Sequence, residues 1–324
     1  MRRGQFPAVV SMTEKGQILP SHRVAIVAFD GVQPIDLSGP AQAFATANEE
    51  GAEPAYAVHV VGLSAGTVMT ASGFGIVVEA CPAEAIGTFM IPGGPGVHAL
   101  RQDTAWLAFL VSAAGRAERV CSVCTGAFLA AAAGLLDGRR VVTHWRSCAR
   151  LAADYPAVTV DDQPLFIEDG SVWTTAGVTA GIDLTLALIE RDHGAAIALR
   201  VARRLVVPMR RVGGQKQVGD MLALQSQGAA PFEPLLMAVA AQPDRNWSVQ
   251  EMAAVAGQSP RNFHRHFVAA IGLTPAKAVE RVRAERAYML LQSKGLRVGG
   301  IARRCGFGGD AAMHRAVARW HAVR

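Results

Sequence analysis

The 324-residue chain is 51% hydrophobic and 18% charged, a globular balance that excludes a disordered polymer and suits about two domains. Charge is divided along it: residues 1–199 carry 12 Lys and Arg against 19 Asp and Glu, net −7, whereas residues 200–324 carry 20 against 7, net +13. The five cysteines, Cys81, Cys121, Cys124, Cys148 and Cys305, form no disulfide framework and fit a reducing cytoplasm, and no run approaches the ~18 apolar residues of a membrane span.

Residues 1–21 are expected to be a flexible tail, because the apolar run Phe6 to Val10 is too short for a signal-peptide core and is soon followed by Glu14 and Lys15. From His22 onward, short β-branched runs alternate with helical patterns. RVAIVAF, AYAVHVVG, GTFMIPGG, RVCSV and RRVVTH read as strands; GPAQAFATANEE, TAWLAFLVSAAG, GAFLAAAAGLL and GIDLTLALIERD read as helices. The alternation predicts an α/β domain over residues 22–195, with a mainly parallel sheet flanked by helices. TVMTASGFGIVVEA and LFIEDGSVWTTAG read as hairpins, adding antiparallel strands at the sheet edges.

In such sheets ligands bind beyond the carboxyl ends of the strands. Three of those ends carry chemistry: Asp36 after the first strand, Gly93 and Gly94 in IPGGPG, and Cys124 after RVCSV. Cys121 and Cys124 have the spacing of a thiol couple, but along a strand residues three apart lie about 10 Å apart and point to opposite faces. A disulfide needs Cα atoms within about 7 Å. Cys121 therefore reads as core and Cys124 as the apex of a strand-to-helix turn. There the helix N-terminus would favour thiolate, the Gly93 and Gly94 amides could hold an oxyanion or carboxylate, and Asp36 could exchange a proton with the thiol. The plain alternative is that Cys124 packs and Asp36 caps a helix. His144 and Cys148 share the i, i+4 spacing of two metal ligands, but two ligands make no zinc site, so His144 is assigned to the pocket or core.

Cys124-Thr125-Gly126-Ala127-Phe128-Leu129, Thr143-His144-Trp145, Ile91 to Gly96 and Gly177 to Asp183 together resemble a PfpI-type domain, of the class I glutamine-amidotransferase-like, flavodoxin-like fold. The resemblance is greatest to the isonitrile hydratase branch, in which an Asp and a Cys-Thr elbow act together. It implies catalytic roles for Asp36, Cys124 and Thr125 if the domain is an enzyme, and a ligand pocket of Asp36, Gly93, Gly94, Cys124, Thr125 and His144 if it is a sensor. Thr125 stands where the protease branch has histidine, which argues against peptidase chemistry.

Residues 196–230, which include the basic segment around Gly213-Gly214, read as a linker and residues 231–324 as an all-α domain with two helix-turn-helix units. In the first unit, Ser259 and Pro260 begin a helix in which Phe263, Phe267 and Ile271 face inward and Arg261, His264 and Arg265 outward. A long helix leads to a second unit that presents Asp310, His314 and Arg315. Outward arginines near a helix start suit base contacts in the major groove; a helical dimerisation module with a basic exterior is the competing interpretation. Residues 230–320 resemble the AraC/XylS regulators, through Ile301 to Phe307. Where that family has a Ser cap and a later Phe in its second reading helix, this chain has Gly309 and Val317 and ends at Arg324, so the second unit is expected to pack weakly. The combined architecture is similar to GlxA-type regulators. It implies a cytoplasmic, homodimeric activator that binds double-stranded DNA and senses an amino acid, amine or quaternary amine, with no cofactor or metal. An amidohydrolase or hydratase with a DNA-binding tail is the rival, and redox sensing through Cys124 a third possibility.

Overall fold

The computed structural model describes residues 22–207, 211, 213–214, 217, 232–292 and 296–321. The expected tail and residues 218–230 of the expected linker lie outside the described residues. The chain divides into two units, Met1–Gln217 and Val218–Arg324.

The first unit is built on an eight-stranded sheet of order β3-β4-β2-β1-β5-β6-β10-β9. Its strands are β1 (His22–Val27), β2 (Tyr56–Gly62), β3 (Gly66–Met69), β4 (Gly75–Ala80), β5 (Ile86–Ile91), β6 (Ala117–Val123), β9 (Phe166–Asp169) and β10 (Val172–Thr175). The six inner strands run parallel, and β3 and β9 pair antiparallel at the two edges, as the two hairpin patterns predict. RRVVTH departs from expectation. Only β7 (Arg140–Val141) forms there, and it pairs with β8 (Thr159–Val160) in a separate two-stranded sheet.

Helices α1 (Pro34–Glu49), α2 (Val97–Leu100), α3 (Thr104–Ala114), α4 (Gly126–Ala132), α5 (Cys148–Asp154) and α6 (Ala180–Arg204) complete this unit. Pleating sends Ala25 and Val27 of β1 to one face, with Phe89, Ile91, Phe128 and Leu129, and Val24 and Ile26 to the other, with Phe44, Met90, Leu184 and Ile189. Helix α1 begins five residues before the predicted Gly39, with Pro34 in its first turn, where a missing N–H costs nothing. Asp36 therefore lies within the first turn rather than in front of the helix. Helix α6 outlasts the predicted GIDLTLALIERD and bends at Gly194, whose φ of 82° is one that glycine adopts without a Cβ penalty.

At the amino ends of the strands, the buried Arg119 guanidinium grips both carboxylate oxygens of Asp192 on α6, at 2.8 and 2.6 Å, and donates to Thr88 Oγ1 at 2.8 Å. Tyr56 donates its hydroxyl to the same Asp192 at 2.7 Å. Strands β2, β5 and β6 are thus tied to one helix by a desolvated ion pair. Burial and the neighbouring Asp192 charge push the Tyr56 hydroxyl well above its ordinary range.

The second unit is helical throughout its described part: α7 (Glu233–Ala241), α8 (Val249–Val255), α9 (Pro260–Ile271), α10 (Pro275–Gln292), α11 (Val298–Arg304) and α12 (Asp310–His321). Ser248 caps α8 by accepting the Glu251 N–H at 3.2 Å. Ser259 occupies the cap position of α9 in extended geometry but makes no side-chain cap bond. Phe263, Phe267 and Ile271 are buried as their spacing predicts, with Phe232 against both phenylalanine rings at 5.7 and 5.1 Å. The core around the second helix-turn-helix, Ala287, Ile301, Ala302, Cys305 and Met313, is smaller, and Val317 only flanks it. Gly306 turns between α11 and α12 at φ 75° with its α-carbon against Pro243 O, where a Cβ would come to 2.2 Å. Arg283 of α10 donates to that same carbonyl at 2.7 Å, so the two helix pairs meet at one backbone oxygen.

Removing one partner of the Arg119–Asp192 pair leaves the other charge buried alone. Asp192→Ala is expected to destabilise the first unit by about 3 kcal/mol, read from urea unfolding followed by tryptophan fluorescence. A change under about 0.5 kcal/mol, the scale of a surface substitution, would show that the pair is not structural.

Candidate functional site

Cys124 sits between the end of β6 and the start of α4, with φ of 56°. A left-handed conformation is costly for a residue with a Cβ and persists only where surrounding contacts impose it. They do so here: the Cys124 N–H donates to Thr175 O at 3.0 Å, and its carbonyl accepts the Thr143 hydroxyl at 2.6 Å. Two glycines close on the elbow. A Cβ on Gly177 would lie 2.2 Å from Cys124 Cβ, and one on Gly93 would lie 2.6 Å from the Thr125 amide nitrogen. Only bare backbone fits on either side of the cysteine.

Asp36 is wholly buried beneath this turn. Its Oδ2 accepts the Gly93 N–H at 3.2 Å and its Oδ1 the Val178 N–H at 2.8 Å. Val178 is itself left-handed, at φ 53°. Gly94 donates its N–H to Thr125 Oγ1 at 2.9 Å, which explains why Thr125 makes no side-chain bond to the helix it precedes. The amides of Gly93 and Gly94, assigned from the sequence to an oxyanion, are thus already engaged by Asp36 and Thr125.

A cleft of about 280 Å³ opens above the elbow, lined by Gln33, Gly94, Pro95, His98, Cys124, Thr125, His144 and Val178. Four of the six expected pocket residues, Gly94, Cys124, Thr125 and His144, meet there. Asp36 and Gly93 lie behind Cys124 and do not line it, because α1 starts early and carries the carboxyl inward. Gln33, His98 and Val178 were not singled out as pocket residues: Gln33 precedes α1, His98 lies on α2 and Val178 on the loop after β10.

No Asp, Glu, Lys or Arg lines the cleft. Burial, with Arg150 and Arg101 nearby, lowers the pKa of His98; burial and Arg146 lower that of His144. Burial also raises Asp36 above the usual carboxylate range, against the two backbone donors and the Cys124 thiol. The Cys124 thiol is pushed up to about 12, by burial first and then by the Asp36 charge. Both effects oppose the activation of Cys124 expected from its helix, α4, which has only seven residues. Cys121 lies in the core, paired in register with Met90 and Trp173, and Cys148 turns its thiol to the carbonyls of Thr143 and His144. Among the described residues no cluster of three His, Cys, Asp or Glu could hold a metal.

In the second unit Arg261, His264 and Arg265 of α9 and His314 and Arg315 of α12 are all exposed. Arg265 leans on Asn262 Oδ1 at 3.5 Å and on His266 at 3.4 Å, exposed neighbours that share the outward face. Arg315 instead borders a groove of about 400 Å³ with Glu280, Arg283 and Arg319.

The DJ-1/PfpI family matches residues 22–191, and a helix-turn-helix domain matches residues 252–324. The chain belongs to the DJ-1/PfpI family. Its PfpI-like unit is fused to a helix-turn-helix unit of the AraC type, the combination found in GlxA-type regulators. It is 34% identical over 187 residues to the isonitrile hydratase of Pseudomonas putida, covering 56% of this chain and 77% of that one. It is 25% identical over 287 residues to the HTH-type transcriptional regulator GbdR of Pseudomonas aeruginosa, covering 88% of this chain and 77% of the regulator. A THiJ/PfpI family protein from Pseudomonas syringae shares the fold with a TM-score of 0.54 at 24% identity, over 74% of this chain and 92% of that one. No helix among the described residues is long and apolar enough to cross a membrane.

Burial and the Asp36 carboxyl disfavour the Cys124 thiolate near neutral pH. Its alkylation by iodoacetamide, followed by peptide mass spectrometry, is expected to rise about tenfold per pH unit from pH 7 to 10 without levelling. A plateau near neutrality would reveal an activated thiolate instead.

Proposed function

We propose that this protein is a sequence-specific, DNA-binding transcription regulator whose DJ-1/PfpI unit senses a small nitrogenous metabolite in the cleft above Cys124. The observation that carries this reading is the pairing, in one chain, of a small cleft lined by no Asp, Glu, Lys or Arg with a basic helix-turn-helix unit that exposes arginines on α9. A cleft of about 280 Å³ suits an amino acid, amine or quaternary amine. Neutral His98 and His144 offer imidazole nitrogens that accept hydrogen bonds from an ammonium group. In this reading the protein acts as a homodimeric activator on double-stranded DNA, and Arg261, His264, Arg265, His314 and Arg315 face the duplex. A thermal-shift screen of amines and amino acids identifies the effector, since binding to the folded state stabilises it by mass action.

A mobility-shift assay on the DNA upstream of its own gene tests the proposal. Specific retardation at moderate salt is expected, and none would sink it. Arg261→Ala and Arg265→Ala should each cost about 1–3 kcal/mol of specific affinity if their guanidinium groups read bases, and should relax preference at one position each. Uniform weakening on all sequences would assign them to phosphates.

The meeting of Asp36, Cys124 and Thr125 at one elbow, together with the similarity to an isonitrile hydratase, supports a second reading as a cysteine-dependent hydratase or amidohydrolase. Turnover of an isonitrile and amide panel separates the two. Activity in the wild type that Cys124→Ala abolishes would favour catalysis, whereas no turnover with ligand-dependent transcription retained in Cys124→Ala would favour sensing alone.

A further inference from the structure

Beyond α6, Arg211 and Gln217 each contact residues next to the cleft walls. Arg211 binds Asp183 through its backbone N–H, to Oδ1 at 3.1 Å, and through its guanidinium, to Oδ2 at 3.0 and 2.6 Å, and also donates to Thr179 Oγ1 at 3.1 Å. The Asp183 side chain is 4% exposed, and burial raises its carboxyl against the pull of Arg211. Thr179 follows Val178, which lines the cleft and donates its N–H to Asp36. Gln217 reaches the opposite wall: its Nε2 donates to Thr143 O at 2.8 Å, while the Thr143 hydroxyl donates to the Cys124 carbonyl. His144, next in sequence, lines the cleft. Between these two contacts Gly213 accepts the Leu165 N–H at 2.7 Å, and a Cβ there would meet Phe166 O at 2.7 Å.

Both walls of the elbow cleft are therefore held by side chains from the end of the first unit, and Gln217 is that unit's last residue. A ligand that shifts or orders the Val178 and His144 walls changes the free energy of the Arg211 and Gln217 contacts. By linkage, those contacts change the free energy of filling the cleft by the same amount.

We propose that Arg211 and Gln217 are the coupling residues of this protein: they clamp the two walls of the Cys124 cleft and pass its occupancy to the segment that leads into the helix-turn-helix unit. The proposal rests on the regulator reading above for its output. Its structural half stands on contacts within the first unit alone.

The test uses full-length protein in a Cys81→Ser background, because Cys81 is the other part-exposed thiol. Iodoacetamide serves as the probe, and the carbamidomethyl group it leaves on Cys124 as a small cleft occupant. The variants are Gln217→Ala, which removes no charge, and Arg211→Ala combined with Asp183→Asn, which leaves no buried unpaired carboxylate; circular dichroism checks that each is folded. Releasing either clamp is expected to speed Cys124 alkylation by about fivefold or more, the lower end of ordinary coupling between sites. In the parent protein, filling the cleft should shift affinity for the upstream DNA by a similar factor, and in both variants that shift should fall below twofold. Alkylation rates equal to the parent's in both variants would overturn the clamp. Equal DNA shifts in parent and variants would overturn the coupling. A parent that fails to bind specific DNA overturns the regulator reading and with it the coupling, while the alkylation rates still decide whether Arg211 and Gln217 hold the cleft.

Discussion

The first unit depends on one buried carboxylate. Asp36 accepts the N–H groups of Gly93 and Val178 and so joins α1 to the loops after β5 and β10, at the point where Cys124 is forced into a left-handed turn. Burying a carboxyl costs free energy unless donors meet it, and the upward displacement of its pKa shows that the two amides do not offset the whole cost. The loops follow from this arrangement: Gly93 and Gly177 lack side chains because a Cβ at either position would enter the elbow, and the backbone strain at Cys124 and Val178 is concentrated around the same carboxyl.

The same geometry decides the chemistry. A cysteine at a helix start is commonly activated by the N-terminal field, yet here the helix is short, the thiol is covered and its neighbour is an acid. Each of these disfavours thiolate, and together they leave a polar recess lined by no Asp, Glu, Lys or Arg. Gly94 and Thr125 bind each other rather than facing a ligand with free donors, so the recess offers the imidazoles of His98 and His144, the Gln33 amide and the thiol itself.

Arg119–Asp192 at the amino ends of the strands and Arg211–Asp183 at the carboxyl ends both anchor α6, one beside its bend at Gly194 and the other in its first turn. The helix that leads out of the DJ-1/PfpI unit is thus pinned at both ends of its first segment by guanidinium–carboxylate pairs. Its second segment returns to α1 through Ala198, Val201 and Ala202 and through the ion pairs of Arg200 and Arg204 with Glu50 and Glu49.

Periodicity made the alternating strands and helices, the two edge hairpins and the inward Phe263, Phe267 and Ile271 legible, because burial of one face imposes a repeat on consecutive residues. The separation of Cys121 from Cys124 was legible for the same reason, since strand pleating alone sends them apart. The shortness of β7, the entry of Asp36 into α1 and the contributions of Gln33, His98, Val178, Arg211 and Gln217 were not. Each depends on which loops meet, and the pairing partners lie far away in sequence. The residue types by themselves determined that this is an α/β unit with an elbow cysteine followed by a basic helical unit with outward arginines. Only the tertiary structure decided that the cysteine sits desolvated beside a carboxyl 88 residues away in the chain, both of which disfavour its thiolate, and no local pattern records either.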